Sequence, residues 1–291
     1  MVLLKAVTNT FFQDVLQWDT IGVSYNIKDS TMTKNETAQL AEDIGNIAAD
    51  ILLQLNEHKI RPTFVEQFYL GLLERERIIL RDASEILKNN HEQQITSAFI
   101  LFRVLLDDFI RLFNVYAKTN SMEDEIIKIQ ADAHSHRFKN IKESVEINDT
   151  YYNGQHVSLF TQQMFDTEKQ KFLNNPEFDK FFENKATFKF KKLPPISNVF
   201  ELMRSDVKTT ANVHSYCVYK FLTQYVHYSN LTFYLENDVT SRKVEIDQIE
   251  EILLYAIKML VMEFDYFRQT YTLNWNDKKV STFFDAKTIH V

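Results

Sequence analysis

Apolar side chains recur at spacings of three and four along most of this chain, which is the signature of helices with one buried face. From Glu36 to His58 the stripe is Leu40, Ile44, Ile47, Ile51 and Leu55. Arg61-Pro62-Thr63 interrupts it, and Thr63 is placed to cap a second helix carrying Phe64, Phe68, Leu72, Ile79, Ala83 and Ile86 up to Asn89-Asn90. A third runs through SAFILFRVLLDDFIRLFNVYA, Ser97 to Ala117, and Thr119-Asn120-Ser121 closes it. A fourth starts at Ser121, with Asp124 completing a cap, and carries Ile127, Ala133, Phe138, Ile141 and Val145.

Residues 148–196 are less periodic. Gly154, the Asn175-Pro176 helix start and the run FKFKKLPP predict one or two short helices followed by a loop. Strong periodicity then returns. Ser197 caps a short helix, Thr209 or Thr210 opens a long one through Tyr234, and Asp247 starts a last one with Ile252, Ala256, Leu260, Phe264 and Phe267 on one face. The predicted fold is all-α, an irregular multi-helix array or bundle with little or no β-structure. Its predicted organisation is an N-terminal segment, 1–35, packing on a single helical domain, 36–291, with the less regular insert at about 148–196.

Composition supports helices over a sandwich or barrel. Only 4 Gly and 4 Pro punctuate 291 residues, while 24 Phe and 13 Tyr supply a bulky interior. The net charge of −7 argues against broad electrostatic binding to nucleic acid or an anionic membrane. Cys217, the single cysteine, has no internal partner and reads as a small core residue. The opening MVLLKAVTNTFFQDVLQW holds Lys5 and Asp14 and lacks a small-residue cleavage site, so it reads as an amphipathic structural segment rather than a signal peptide. No run approaches about 18 uncharged apolar residues, so no membrane span is predicted and the cytoplasm is the expected compartment.

Three polar groups break the pattern. Arg103 lies in the apolar run of the third helix, four residues after Phe99 and four before Asp107. A guanidinium on a buried stripe is costly unless paired. Either it pairs with Asp107 or reaches the rim, or it points into a polar pocket toward a partner side chain or an anionic ligand. In SYCVYKFLTQYVHYSN, Tyr216, Tyr219, Thr223 and His227 share a face, and His227 is a candidate general base, ligand or hydrogen-bonded core residue. His134 and His136 look like a metal pair, but residues two apart point about 200° away from each other on a helix, so no metal site is predicted. The Glu74-Arg75-Glu76-Arg77 run reads as a solvated face with local ion pairs, and FKFKK as a weak phosphate-contacting signal.

Phosphate-binding glycine loops, G-x-S-x-G and H-E-x-x-H are all missing, and no cofactor is predicted. FRVLLDD, followed by LPPISNVFELM and YKFLTQYVHYSN, resembles a family of bacterial all-helical proteins grouped as a domain of unknown function. The likeness spans about Glu57 to Glu236. Its marks, an Arg with an acid four residues on and a late Tyr-x-x-x-Ser/Thr-x-x-x-His helix, fall on Arg103 with Asp107 and on Tyr219, Thr223 and His227. The resemblance implies a helical fold without an established activity.

The arrangement also loosely resembles HEPN domains, helical proteins that include RNA-cutting toxins and phage-defence effectors. Their Arg-to-His spacing on one helix does not occur here, Arg204 to His214 being too long a gap. The expected function is therefore a helical binding or interaction protein with a buried Arg103, Asp107, Tyr219 and His227 cluster, taking an unknown protein partner or small ligand. The alternative is a divergent HEPN-like ribonuclease or defence effector in which His227 and Arg103 act on RNA. A spare aromatic face makes a homo-oligomer compatible with either.

Overall fold

Thr33 and Thr63 open the first two described helices in the same way. Each threonine hydroxyl accepts from the backbone N–H of the glutamate three residues on, and that glutamate, Glu36 or Glu66, accepts from the threonine N–H. The computed structural model describes residues 32–89, 95–205, 212–226 and 239–275. Within these, the chain is all-α apart from one very short hairpin. The predicted N-terminal segment, most of 1–35, and His227 lie outside the described residues.

The described chain divides into two compact units, one made of the residues up to Tyr116 with those from Ile196 onward, the other Ala117–Pro195. In the first unit, α1 (Lys34–Glu57) and α2 (Phe64–Lys88) form an antiparallel hairpin. Gly45 permits their close approach, since a Cβ there would stand 3.4 Å from Leu80 Cβ and 3.5 Å from the Arg77 carbonyl. Then come α3 (Ile95–Ala117) and, beyond the second unit, α6 (Ile196–Ser205), α7 (Val213–Val226) and α8 (Val239–Arg268).

Helix α8 packs on both α1 and α2, and the chain after it is tied back to the α1–α2 hairpin. Gln54 and Asn274 exchange hydrogen bonds of 3.0 and 2.8 Å, and the Tyr271 hydroxyl donates to Glu66 at 2.8 Å. Helix α3 buries nearly its whole girth, with Phe99, Phe102, Leu105, Leu106, Phe109, Ile110 and Leu112 all sealed from solvent.

The second unit holds α4 (Met122–Tyr152), α5 (Gln162–Asn174), a 3-10 turn at Pro176–Phe181 and the hairpin of β1 (Phe182–Asn184) and β2 (Lys189–Phe190). It begins well before the less regular stretch at 148–196, because α4 supplies the surface on which α5, the turn and β2 pack. Buried Asn148 donates to the Phe160 carbonyl and accepts from the His156 N–H, fixing the bend from α4 into α5. Asn153 and Gly154, both at positive φ, make that bend.

Several local expectations change. FKFKK is half strand rather than loop: Phe190 pairs with Phe182, and Lys189 and Lys191 face Glu183 and Asp124. The last helix starts at Val239, eight residues before Asp247, because a single Asp costs a helix interior too little to end it. Cys217 is exposed, lying across α7 from buried Ser215, Val218 and Leu222.

The core of the second unit is a phenylalanine cluster around Phe172. Its ring centroid lies 4.2 Å from Phe178, 5.3 Å from Phe138, 5.7 Å from Phe190 and 5.8 Å from Phe182. Replacing Phe172 with Ala should cost about 3–5 kcal/mol, since several rings would border the cavity. Urea denaturation followed by hydrogen exchange within 117–195 measures this. A cost under about 1 kcal/mol would show that the rings repack freely.

Candidate functional site

Helix α3 carries its charge on a narrow flank. Arg103, Asp107 and Arg111 follow one another at intervals of four, with Asp108 a step around the helix, and all four are half-buried. Arg103 does not pair with Asp107. Its Nη2 donates instead to the hydroxyl of Tyr219 on α7 at 2.6 Å, and its guanidinium carbon stands 4.6 Å from the centre of that ring. The arginine thus uses the phenol both as acceptor and as π-face. Its Nε is buried, without an acceptor among the described residues.

Tyr219 continues an aromatic ladder. Tyr216 stacks on Phe200 of α6 with centroids 4.3 Å apart, and the Tyr216 and Tyr219 rings lie 6.1 Å apart at 14°. Lys220 holds its ammonium 5.4 Å above Tyr216. Thr223 turns inward to its own helix, its hydroxyl donating to the Tyr219 carbonyl at 2.8 Å. The structure therefore brings Arg103 and Tyr219 together and leaves Thr223 as a backbone-bonded neighbour, while His227 lies outside the described residues.

The carboxyls on α3 titrate under burial and arginines. Burial pushes Asp107 up, and Arg111, Arg103 and Arg75 draw it partly back. Asp108 rises to about 7: burial is the largest cause, Asp107 adds to it, and Arg75 opposes it through an ion pair at 2.8 Å. Arg75 comes from the run read as a solvated face. That reading holds for Arg77, paired with Glu74 at 2.6 Å, and fails for Glu76.

Glu76 is 1 % exposed and Glu263 of α8 is 0 % exposed, and burial holds both carboxyls well above the usual range. Each lies beside the other and beside Asp108. A signal for them does exist in the sequence. Glu76 occupies the buried register of Leu72, Leu73, Ile79 and Leu80, and Glu263 that of Met259, Leu260 and Phe267. A charge in a core register is the anomaly that marked Arg103, and it passes unnoticed inside an alternating acidic and basic run.

A second polar group joins α7 to α8. His214 Nδ1 meets Glu251, the Tyr255 hydroxyl donates to the same carboxylate oxygen, and Lys258 donates to Asn212 at 2.8 Å. The Glu251 carboxylate raises the His214 pKa, more than burial lowers it. In the second unit, His134 lies against the rings of Phe172, Phe178 and Phe181, while exposed His136 is 3.7 Å from Asp132. Among the described residues no group of three His, Cys, Asp or Glu is placed to hold a metal ion, and no helix is long and apolar enough to cross a membrane. An open groove of about 510 Å³ lies between the end of α2 and the start of α3, floored by Ile86, Ile100 and Leu101 and edged by Asp82 and Glu85.

No family model matches the chain, and neither a curated protein nor a solved structure is significantly similar to it.

The Arg103–Tyr219 contact has a measurable energy. A double-mutant cycle of Arg103→Ala and Tyr219→Phe should give a coupling of about 1–2 kcal/mol, typical of a charge-assisted hydrogen bond discounted for partial exposure. A coupling indistinguishable from zero in chemical denaturation would show that the two side chains contribute separately.

Proposed function

We propose that this protein is a helical binding or interaction protein, in which the Arg103–Tyr219 contact fixes how α3 meets α7. The observation that carries the reading is the state of Arg103. Its Nη2 donates to a hydroxyl of its own fold, and its guanidinium lies over the same residue's ring. An arginine that stabilises developing charge on a substrate must instead present its donors to the space where that charge appears. On this reading the partner is a protein or a small ligand.

The competing proposal is a divergent HEPN-like ribonuclease, with His227 as acid/base and Arg103 stabilising the phosphate. One assay separates the two. Purified full-length protein is incubated with mixed RNA beside Arg103→Ala and His227→Ala. The binding reading expects intact RNA in all three. Cleavage that both substitutions abolish, with both variants still folded by circular dichroism, would replace it with the nuclease reading.

A further inference from the structure

Two acids face each other in the core of the first unit, and among the described residues no base meets them. Glu76 projects from α2 and Glu263 from α8, and neither has appreciable contact with solvent. As carboxylates their four oxygens find no donor among the described residues, since all of them are buried without a hydrogen-bond partner there. The two groups are in hydrogen-bonding reach of one another, a bond that exists only when one of them carries a proton.

The neighbours do not offer an alternative. Asp108 of α3 adds negative charge, and its own counter-ion is Arg75. Tyr69 of α2 feels Glu263 as a charge that hinders its own ionisation. Asp107 of α3 acts on Asp108, while Asp265 of α8 is held by Arg268 and the Tyr116 hydroxyl. No charged group of α1, which packs on both α2 and α8, acts on either glutamate. Two ionised carboxylates side by side in such a place would be far more costly than the folded state tolerates.

We propose that Glu76 and Glu263 form a buried proton-binding site that clasps α2 to α8, held by at least one proton and released when that proton leaves. With one proton, the protonated carboxyl donates to the other's carboxylate. Its loss to solvent leaves two adjacent negative charges and no hydrogen bond, and α8 is driven from α2. The first unit thereby carries a switch that locks at mildly acidic pH and loosens as the pH rises.

The direction follows from linkage. The folded chain holds protons that the unfolded chain gives up near the ordinary glutamate value of 4.5, so their stabilisation is complete below that value. It is lost as pH rises through the folded-state value. Across the pH window in which the folded chain keeps one proton that the unfolded chain has released, the folding equilibrium constant falls about tenfold per pH unit. Asp108 and His214 have raised values too and add to the same slope, so the difference between wild type and variant is what is read.

The experiment measures urea denaturation of the full chain from about pH 5 to about pH 9, for wild type, Glu76→Gln, Glu263→Gln and the double Gln variant. Glutamine keeps the shape of a protonated glutamate and cannot ionise. The wild type should lose stability steadily with pH. Each Gln variant should flatten that slope, and the double variant should be more stable than wild type at the alkaline end. An unchanged slope in the double variant would overturn the proposal.

Infrared spectroscopy gives a second reading should the variants fold poorly. In an Asp108→Asn background at neutral pH, a protonated-carboxyl carbonyl band is expected that shifts in heavy water. A spectrum without that band would also overturn it.

Discussion

The first unit is organised around negative charge that its core cannot hydrate. Helices α2, α3 and α8 bring Glu76, Asp108 and Glu263 into one neighbourhood, and among the described residues Arg75 is the cation that enters it, pairing with Asp108. Burying an ionised carboxylate without a partner costs several kcal/mol, enough on its own to offset much of a domain's net stability of about 5–15 kcal/mol. The fold is therefore possible only if most of that charge is neutralised by protons. Contact of Tyr69 with Tyr266 and Phe267 brings α2 and α8 together, and the protonation state decides whether they stay.

The same helix α3 solves the opposite problem at Arg103. Arg103 is a cation among apolar neighbours, and it is accommodated by a phenol rather than by the acid one turn away. A tyrosine suits this role because its ring receives the cation and its hydroxyl receives the N–H, while its own ionisation is pushed further out of reach by burial. Asp107 then balances the arginines through space without a direct bond to Arg103. Charge on α3 is settled by reaching across to α2 and α7, so these contacts specify which helix faces which.

Periodicity alone made the helices legible, because a buried face imposes its spacing on the residues whatever the neighbouring element is. The ends of α1 and α2 were legible too, since Thr63 and Glu66 sit at capping positions. Residues whose role depends on a second helix were less so. Arg103 stood out as a charge in an apolar run, but Asp107 was the partner suggested by spacing, and Tyr219 lies 116 residues away. Glu76 was hidden by Arg75 and Arg77, whose charges made the segment look solvated, although a helix turns Glu76 away from both. Cys217 looked buried because its sequence neighbours are apolar, yet it falls on the one side of α7 that they leave open.

The two polar systems of the first unit are not independent. Asp108 acts on both glutamates, and Asp107 acts on Asp108 while lying in the fields of Arg75, Arg103 and Arg111. Any event that draws Arg75 away raises the proton affinity of Asp108, and with a proton there the repulsion on Glu76 and Glu263 falls. Ionisation of the glutamates has the reverse effect, favouring the proton on Asp108 and weakening its hold on Arg75. A ligand or partner that drew Arg75 toward itself would therefore change the pH at which α8 is released, and the reciprocity of linkage requires that pH in turn change its affinity. The energy available for such coupling is set by how deeply the carboxyls are buried, so the residues least accessible to a partner are those through which it would act most strongly.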